Sequence, residues 1–288
     1  MSILTELNKT SIRVSDIASQ YWCERQMEFN YRYGQKIFKE MKEGKAIHEE
    51  LENEVNVPII LQPKSYSDAL YKSIYTSLEA LKALKANKKT REVQVYGSIN
   101  GYKVVGKIDQ LEIKDDKIIV SEDKTRANEK IPSESQQLVH KIQLMFYKKL
   151  LDDLRDGFYN FQNFDAAYHT DKLQITDEFK RQLDAMKIES SLQNVNSVSK
   201  AFFNSFRTIG TISDTLHIRY INQFTGKEIK MHKFEYKKEE MNGIITYILK
   251  YWNGERKAAP VPEDEMWKCN WCVFYGKECK TWWKQKVL

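Results

Sequence analysis

The cysteines of this chain have a spacing that metal sites use. Cys23 stands alone near the N-terminus, whereas Cys269, Cys272 and Cys279 lie close together near the C-terminus. A Cys-x2-Cys pair followed by a third thiol is typical of metal ligands, and a four-thiolate site needs one more. Only Cys23 remains to supply it, so the spacing predicts a site that joins the two ends of the chain. Spacing alone leaves both Zn²⁺ and an iron–sulfur cluster open.

A second set of reactive side chains lies on two neighbouring predicted strands. Asp109 lies on one strand, and Glu122 and Lys124 lie two residues apart on the next, so they project from the same face. Together with the carbonyl oxygen of Asp123, two converging carboxylates would suit Mg²⁺ or Mn²⁺. Lys124 could then orient a water molecule or stabilise developing negative charge. The competing interpretation is a surface hairpin with salt-bridging charges, because Asp…Glu-x-Lys often arises by chance.

Two predicted helices carry further polar side chains at regular spacing. Gly44 and His48 form a Gly-x3-His pair on a helix before the strands. Gln143 and Tyr147 lie four residues apart on a long helix after them, so they share one helical face. Each pair alone is typical of ordinary surface or core patterning, so the order of all the patterns along the chain is more informative.

That order resembles the RecB-type branch of the PD-(D/E)XK nucleases, whose pattern runs Gly-x3-His, Gly-x-x-Asp, Glu-x-Lys and Gln-x3-Tyr. All four elements occur here in that order. The resemblance implies an α/β fold with a PD-(D/E)XK restriction-endonuclease-like core, a mixed central sheet flanked by helices. It implies these roles: metal binding by His48, Asp109 and Glu122, catalysis by Lys124, and support of the site and the DNA backbone by Gln143 and Tyr147.

The flanking cysteines are similar to those of the iron–sulfur members, namely the exonuclease V family and the CRISPR-associated adaptation nucleases. Exonuclease V is the closer resemblance, and it spans nearly the whole chain. The similar stretches are residues 14–17, 21–24, 122–126, 143–152, 216–221, 251–256 and 265–269. This resemblance implies a [4Fe–4S] cluster on the four cysteines and Mg²⁺ or Mn²⁺ at the carboxylates. Asp123 departs from the family pattern, where this position is often apolar, and the extra acid could alter the metal preference.

The resemblance further implies a Mg²⁺-dependent exodeoxyribonuclease that cuts single-stranded DNA from an end, in DNA repair or replication. One alternative is a CRISPR-adaptation nuclease. The other is a non-catalytic, zinc-stabilised module that binds nucleic acid, with Asp109 and Glu122 as mere surface acids. We expect a monomer, with a single-strand-binding protein as a candidate partner. Candidate strand contacts are Arg126, Tyr21, Arg25, Lys88 and Lys89, for which a solvated basic surface is the ordinary explanation.

Hydrophobic periodicity predicts the elements that position these residues. Helices are expected over 17–33, 42–55 and 67–88, and the next helix runs from about 134 to 156. Strands over 91–98, 102–113 and 118–125 lie between them, joined by Asn100-Gly101 and by a turn at 114–117. Beyond 157 the sequence predicts a strand over 158–169, helices over 176–192 and 237–253, and a hairpin of 215–224 with 227–236.

Composition sets the remaining bounds. The chain has 288 residues, 41% of them hydrophobic, and a net charge of +6, which fits a polyanionic partner. No apolar run approaches the ~20 residues that cross a bilayer, and the N-terminus lacks the features of a signal or transit peptide. We expect a soluble, intracellular protein that forms one compact domain and does not associate with a membrane. Its expected segments are 1–60 with the first cysteine and His48, 61–157 as the nuclease core, 158–245 completing the core, and 246–288 with the cysteine cluster.

Overall fold

A computed structural model describes residues 3–280, apart from the side chains of residues 39–41 and 45, and shows a mixed α/β fold. The helices are α1 (Ile3–Glu6), α2 (Val14–Tyr33), α3 (Lys39–Asn53), α4 (Tyr66–Asn87), α5 (Glu134–Asp156), α6 (Phe161–Tyr168), α7 (Asp177–Ala185), α8 (Val195–Phe206) and α9 (Lys238–Trp252). The strands are β1 (Ile12–Arg13), β2 (Lys89–Ile99), β3 (Tyr102–Lys114), β4 (Lys117–Arg126), β5 (Thr211–Ile212), β6 (Thr215–Asn222) and β7 (Glu228–Glu235). Short 3₁₀ segments cover Thr170–Lys172, Ser190–Leu192 and Glu263–Trp271.

All the described strands belong to one mixed sheet. Its main order is β2-β3-β4-β6-β7, in which only β4 and β6 run parallel. The short strands β1 and β5 add parallel pairs beside β3 and β4. Helices cover the sheet, with α5 and α2 packed together and α4 packed against β2 and α8. The predicted α/β architecture of a mixed central sheet flanked by helices is therefore confirmed.

Tight turns fix the register of the three central strands. Asn100 and Gly101 have φ angles of 48° and 84°, and Asp115 and Asp116 have φ angles of 50° and 57°. Positive φ at both central residues gives the twist that matches two antiparallel strands. Because the second turn aligns Gln110 with Ser121, Asp109 and Glu122 come to adjacent positions.

Helix α5 packs one apolar stripe against the sheet. The Ser133 side chain accepts a hydrogen bond from the backbone N–H of Gln136 at its start, and Gly157, with φ of 79°, ends it. Leu144 and Leu151 on its inner face are fully buried. The polar pair Gln143 and Tyr147 is consequently held against the strands rather than in solvent.

The strand predicted over 158–169 was wrong, because this segment contains α6. Asn160 caps the helix, and the rings of Phe164 and Tyr168 stack with centroids 4.3 Å apart, which is helical i, i+4 spacing. Phe164 also packs edge-on against Tyr96 of β2 at 4.9 Å. Aromatic residues favour strands in isolation, but here their spacing matched a helix that packs on the sheet.

Two further differences concern the second half of the chain. The helix predicted over 176–192 is shorter, since α7 ends at Ala185 and a separate 3₁₀ turn follows. Helix α8 was not predicted, and its buried Phe202 and Phe206 pack against each other at 4.9 Å. The hairpin of β6 and β7 and the helix α9 were predicted correctly.

Two expectations concern the ends of the chain and membranes. Within residues 3–280, no helix combines the length and apolarity that crossing a membrane requires. The last predicted segment, 246–288, continues past residue 280, so residues 281–288 lie outside the described part of the chain.

Candidate active site

Strand β4 presents Glu122 and Lys124 together on the face covered by α5. The Nζ atom of Lys124 lies 2.7 Å from Oε1 of Glu122 and donates a second hydrogen bond of 3.0 Å to Oε1 of Gln143. Gln143 in turn donates from Nε2 to Glu122 Oε1 at 2.6 Å. One amide therefore accepts from the lysine and donates to the acid, which fixes the relative position of both side chains.

Tyr147 and Gly106 explain how α5 comes so close to the strands. The Tyr147 hydroxyl accepts from Gln143 Nε2 at 3.0 Å and from the backbone N–H of Lys107. A Cβ atom on Gly106 would lie 2.6 Å from Cε1 of Tyr147 and 2.8 Å from Cγ2 of Val14. Only glycine leaves room for this ring, so the Gly-x-x-Asp pattern has a steric reason here.

Gly44 has a similar steric role on helix α3. A Cβ atom at this position would lie 2.8 Å from Oγ1 of Thr125 on β4. The close approach of α3 to β4 brings His48, one turn further along the helix, over the central strands. The Gly-x3-His pattern therefore combines a contact residue with a residue that the sequence predicts as a metal ligand.

Asp109 and Glu92 lie at a break between β2 and β3. The ladder pairs Arg91 with Gln110 and Val93 with Ile108, and it skips the pair between them. Glu92 has φ of 58°, a left-handed conformation that is rare for glutamate and concentrates at functional sites. Asp109, released from the ladder, accepts the backbone N–H of Asp123 at 2.8 Å through Oδ2. The break therefore turns two acids toward the same point.

His48, Glu92 and Asp109 form a cluster with metal-binding geometry. His48 Nδ1 lies 3.6 Å from Glu92 Oε1 and 3.8 Å from Asp109 Oδ2. One ligand atom from each residue lies within 4.8 Å of the others. Sequence reasoning missed Glu92, although its place opposite Asp109 in the predicted hairpin could have indicated it. Lys107 forms an ion pair with the other oxygen of Glu92.

Buried acids concentrate negative charge in this cluster and at the neighbouring Glu122. Burial, and then the charge of Asp109, raises the pKa of Glu122 to about 8. Burial also raises the pKa of Asp109. Burial lowers the pKa of His48, but Glu92 and Asp109 outweigh it, so this pKa lies above its usual value. Oε2 of Glu122 is buried without a hydrogen-bond partner. A divalent cation beside it would satisfy this oxygen and offset the repulsion between the acids.

The carboxylate of Asp123 is not available as a metal ligand, which corrects the expectation that this extra acid alters the metal preference. Adjacent strand residues point to opposite faces, and Asp123 points away from Glu122. Its oxygens accept from Arg219 Nε at 2.8 Å and from Arg91 Nη2 at 2.7 Å. Burial raises the pKa of Asp123, but the two guanidinium groups outweigh it and hold this pKa below its usual value. Its main-chain carbonyl remains a proposed ligand.

The side chains predicted to contact the DNA strand lie in different parts of the structure. Arg126 shares the face of Lys124, and its buried Nε has no hydrogen-bond partner. Tyr21 packs against the Tyr247 ring at 5.5 Å, and Arg25 donates to the backbone oxygen of Ala258 and to the sulfur of Cys279. Lys88 is exposed at the left-handed end of α4, and the half-buried Lys89 begins β2. Within residues 3–280 no hydrogen bond or ion pair joins Tyr21, Arg25, Lys88 or Lys89 to the site carboxylates.

All four cysteines line one cavity beside the interruption of α2 at Cys23. Its remaining walls are largely apolar and include Trp22, Phe29 and Val261. Cys23 interrupts α2 with an extended backbone, φ −169° and ψ 112°. Burial, and then the neighbouring thiols, raises the pKa of Cys23 to about 11. The structure thus brings the two ends of the described chain together as the spacing predicted.

A polar network beside this cavity joins the same two ends. Glu24, which is 1% exposed, pairs with Arg256 and accepts the backbone N–H of Ala259 at 2.9 Å. Gln20 bridges Glu24 and the indole N–H of Trp252, with hydrogen bonds of 2.9 and 2.8 Å. The termini are therefore connected by protein contacts in addition to the thiol cavity.

Comparison with known proteins shows the family to which the chain belongs. Residues 4–117, 112–208 and 187–284 match the family described as "Exonuclease V - a 5′ deoxyribonuclease". Exonuclease V of Danio rerio is 26% identical over 304 residues, which cover 99% of this chain and 73% of that protein. "Exonuclease V, mitochondrial" of Candida tropicalis is 28% identical over 95 residues, or 33% of this chain and 15% of that protein. The crystal structure of SSO0001 superposes with a TM-score of 0.41 and 16% identity, covering 92% of this chain and 84% of that one.

Proposed function

Because this chain belongs to the exonuclease V family of DNA exonucleases, we propose that it hydrolyses single-stranded DNA from an end with the help of Mg²⁺ or Mn²⁺. The observation that carries the metal dependence is the buried Oε2 of Glu122, which has no partner and lies beside Asp109. An oxygen desolvated in this way is costly unless a cation binds it.

The metal ligands would be His48, Glu92 and Asp109, whose ligand atoms lie within 4.8 Å of one another, with Glu122 and the carbonyl of Asp123 as further oxygens. This mixture of carboxylates, one imidazole and one carbonyl suits Mg²⁺ or Mn²⁺ better than a thiol-binding metal. When bound, such a cation polarises a phosphate oxygen and lowers the pKa of a water molecule that it binds.

Lys124 is the residue that would act on the phosphodiester. Its ammonium group has three donors, of which Glu122 and Gln143 take two. The third can point at a non-bridging phosphate oxygen, where negative charge grows as the phosphorus is attacked. Glu122 and Asp109 keep the lysine charged, since both outweigh the effect of burial and raise its pKa. Gln143 and Tyr147 position this group rather than contact the substrate.

The thiol cavity would hold a structural [4Fe–4S] cluster. Within the described residues, only His48, Glu92 and Asp109 bring three potential ligand atoms within 4.8 Å of one another, so the thiols as a group are spaced more widely. Four thiolates around one zinc ion crowd together, because each Zn–S bond is only about 2.3 Å long. A cluster places its own iron and sulfide atoms between the thiolates, and this fits the wider spacing.

Family membership favours this function over the two alternatives. A CRISPR-adaptation nuclease would share the site but not the exonuclease V family. A non-catalytic module would have no need for a lysine bridged by Gln143 to a buried acid. The 5′ polarity in the description of the family is a further proposal for this chain, as is the absence of cutting within circular strands.

The test is hydrolysis by anaerobically purified protein. Linear single-stranded DNA with a label at the 5′ or the 3′ end, and circular single-stranded DNA, are incubated with and without Mg²⁺. We expect Mg²⁺-dependent loss of the linear strands alone, with the first products released from the 5′ end. Asp109→Asn should abolish this activity, whereas Asp116→Asn, the same change in the exposed β3–β4 turn, should keep it. Binding without cleavage by the metallated protein would support the non-catalytic module instead.

A further inference from the structure

A second lysine, besides Lys124, touches the carboxylate site. The ammonium group of Lys107 on β3 forms an ion pair with Glu92 through Oε2, whereas Oε1 of the same carboxylate faces His48. The side chain of Lys107 is 55% exposed, and that of Lys124 is 24% exposed. Lys107 is therefore a cation that contacts the metal-binding cluster and is open to solvent.

The backbone of Lys107 is fixed by the same helix that positions Lys124. The Lys107 N–H donates to the hydroxyl of Tyr147, and Gln143 Nε2 donates to that hydroxyl at 3.0 Å. Oε1 of Gln143 in turn accepts from Lys124 at 3.0 Å. Gly106, the residue before Lys107, leaves room for the Tyr147 ring. The two lysines are thus held at the two ends of one hydrogen-bonded chain through α5.

The acids around Lys107 use only part of its hydrogen-bonding capacity. The ammonium group has three donors, of which Glu92 takes one. Glu52 and Asp109 act on its charge from further away. A divalent cation on Glu92 and Asp109 would share the charge of these acids and loosen the ion pair. The donors of Lys107 could then turn to a second anion at the same site.

We propose that Lys107 binds a phosphate of the DNA strand where the strand meets the metal site. It acts from the side of Glu92, whereas Lys124 acts from the side of Glu122. The proposal rests on the proposed function and adds a substrate-binding residue to it. A single carboxylate group separates the Lys107 ammonium from His48 and the other ligand atoms, so a phosphate at the cluster lies within its reach. Lysine binds phosphate as a point charge, which an uncharged ligand cannot match.

The first test measures binding in protein that carries Asp109→Asn, so that the strand is bound but not cut. Lys107→Gln removes the charge and keeps a polar side chain, and Lys107→Arg keeps the charge. Lys114→Gln, at the exposed far end of β3, is the matched control. Binding of a fluorescent single-stranded oligothymidylate is measured between low and moderate salt at a fixed Mg²⁺ concentration.

Because one phosphate contact contributes about 0.7 to the salt slope, we expect Lys107→Gln to weaken binding about 3–10-fold and to flatten the slope. Lys107→Arg and Lys114→Gln should leave both quantities unchanged. Unchanged binding by Lys107→Gln would overturn the proposal and leave Lys107 as a partner of Glu92 alone. Equal weakening by Lys114→Gln would indicate general attraction and overturn it as well. So would Lys107→Arg binding as weakly as Lys107→Gln, since charge would then not explain the loss.

The second test separates strand binding from metal binding in protein with Asp109 intact. Loss of a positive charge beside Glu92 favours a cation there, so Lys107→Gln should not raise the Mg²⁺ concentration for half-maximal activity. KM for the strand should rise about 3–10-fold with kcat nearly kept. A raised Mg²⁺ requirement with an unchanged KM would assign Lys107 to the metal site and overturn the proposal. An inactive parent protein would reject the proposed function, and the binding test would then decide the role of Lys107 by itself.

Discussion

At the carboxylate site, hydrogen bonds from the protein hold Glu122 and Asp109 in place. At the thiol site, the protein surrounds the cysteines with a largely apolar lining and few hydrogen-bond donors. Glu122 is fixed by Lys124 and Gln143, and Asp109 by the backbone of β4. The cysteines meet in a largely apolar cavity, where Arg25 is the described residue that donates a side-chain hydrogen bond to a thiol. The sheet preorganises the first site, whereas the protein offers the thiols of the second site few polar partners.

This difference predicts opposite effects on folding. The acids of the carboxylate site repel one another in the free protein, so removing one should not weaken the fold. The thiols connect segments more than two hundred residues apart in sequence, and ligand binding there would add directly to folding free energy. We therefore expect changes at the carboxylate site to reduce activity and changes at the thiol site to reduce stability.

The largest expected effect is on stability, from Cys269→Ser. Loss of one thiolate should release the cluster and reduce the free energy of unfolding by more than about 5 kcal/mol, because metal binding and folding are coupled. Visible absorbance, iron content and chemical denaturation measure it, with Asp109→Asn as the control that should keep all three. A Cys269→Ser protein with full absorbance and unchanged denaturation would contradict the expected difference between the two sites.

The next effect is on activity, from Asp109→Asn. The amide can still accept the backbone N–H of Asp123, but the charge that holds the cation is gone. We expect hydrolysis to fall by on the order of 10³-fold or more, with a melting temperature equal to or above that of the parent. Initial rates on labelled DNA and calorimetry test this. A large loss of stability would mean that the acids support the fold as the cysteines do.

Arg256→Leu tests whether protein contacts hold the chain ends in addition to the proposed cluster. The change leaves Glu24 buried without its charged partner, although Gln20 and the backbone N–H of Ala259 still donate to it, and this should cost about 2–4 kcal/mol after allowance for the partial exposure of Arg256. Denaturation measures this cost, and absorbance reports the cluster. We expect the cluster to remain. Simultaneous loss of absorbance and stability would show that the two connections form a single unit.

Glu92→Gln sharpens the description of the carboxylate site. Glutamine can keep the left-handed backbone of Glu92 but removes one charge from the metal-binding cluster. We expect the Mg²⁺ concentration for half-maximal activity to rise about tenfold, with the rate at saturating Mg²⁺ nearly kept. Glu112→Gln, on the same hairpin but outside the cluster, should change neither. A lower melting temperature with an unchanged Mg²⁺ requirement would assign Glu92 a structural role.

The smallest effect concerns His140 and the pH dependence of stability. Its folded pKa of about 3 lies below the ordinary 6.5, so the unfolded chain binds the extra proton between these values. Stability is therefore complete above about pH 6.5 and falls as the pH decreases through this window. His140→Gln should remove part of this acid sensitivity without affecting the thiol site. Denaturation at pH 5 and pH 7.5 tests it, and an identical pH dependence in both proteins would contradict the expectation.

The sequence was most informative where the structure is local. Asn100-Gly101 and the alternating strands around it predicted the hairpin that holds Asp109 and Glu122, because turn geometry and side-chain period are set by nearby residues. Helix α6 was mistaken for a strand, since its aromatic residues pack on Tyr96 of another element. Glu92 was missed because its importance comes from a strained backbone beside Asp109 rather than from a motif.

The sequence alone determined which side chains could do chemistry: the thiols, the acids, Lys124 and the glycines that make room for their neighbours. Only the tertiary structure decided which groups each of them meets. Asp123 lies between two candidate active-site residues in sequence, and on the opposite face of the strand its carboxylate is paired with two arginines from other strands. Spacing along a chain fixes the face of a strand, but the charge and burial of that face come from segments that folding brings together.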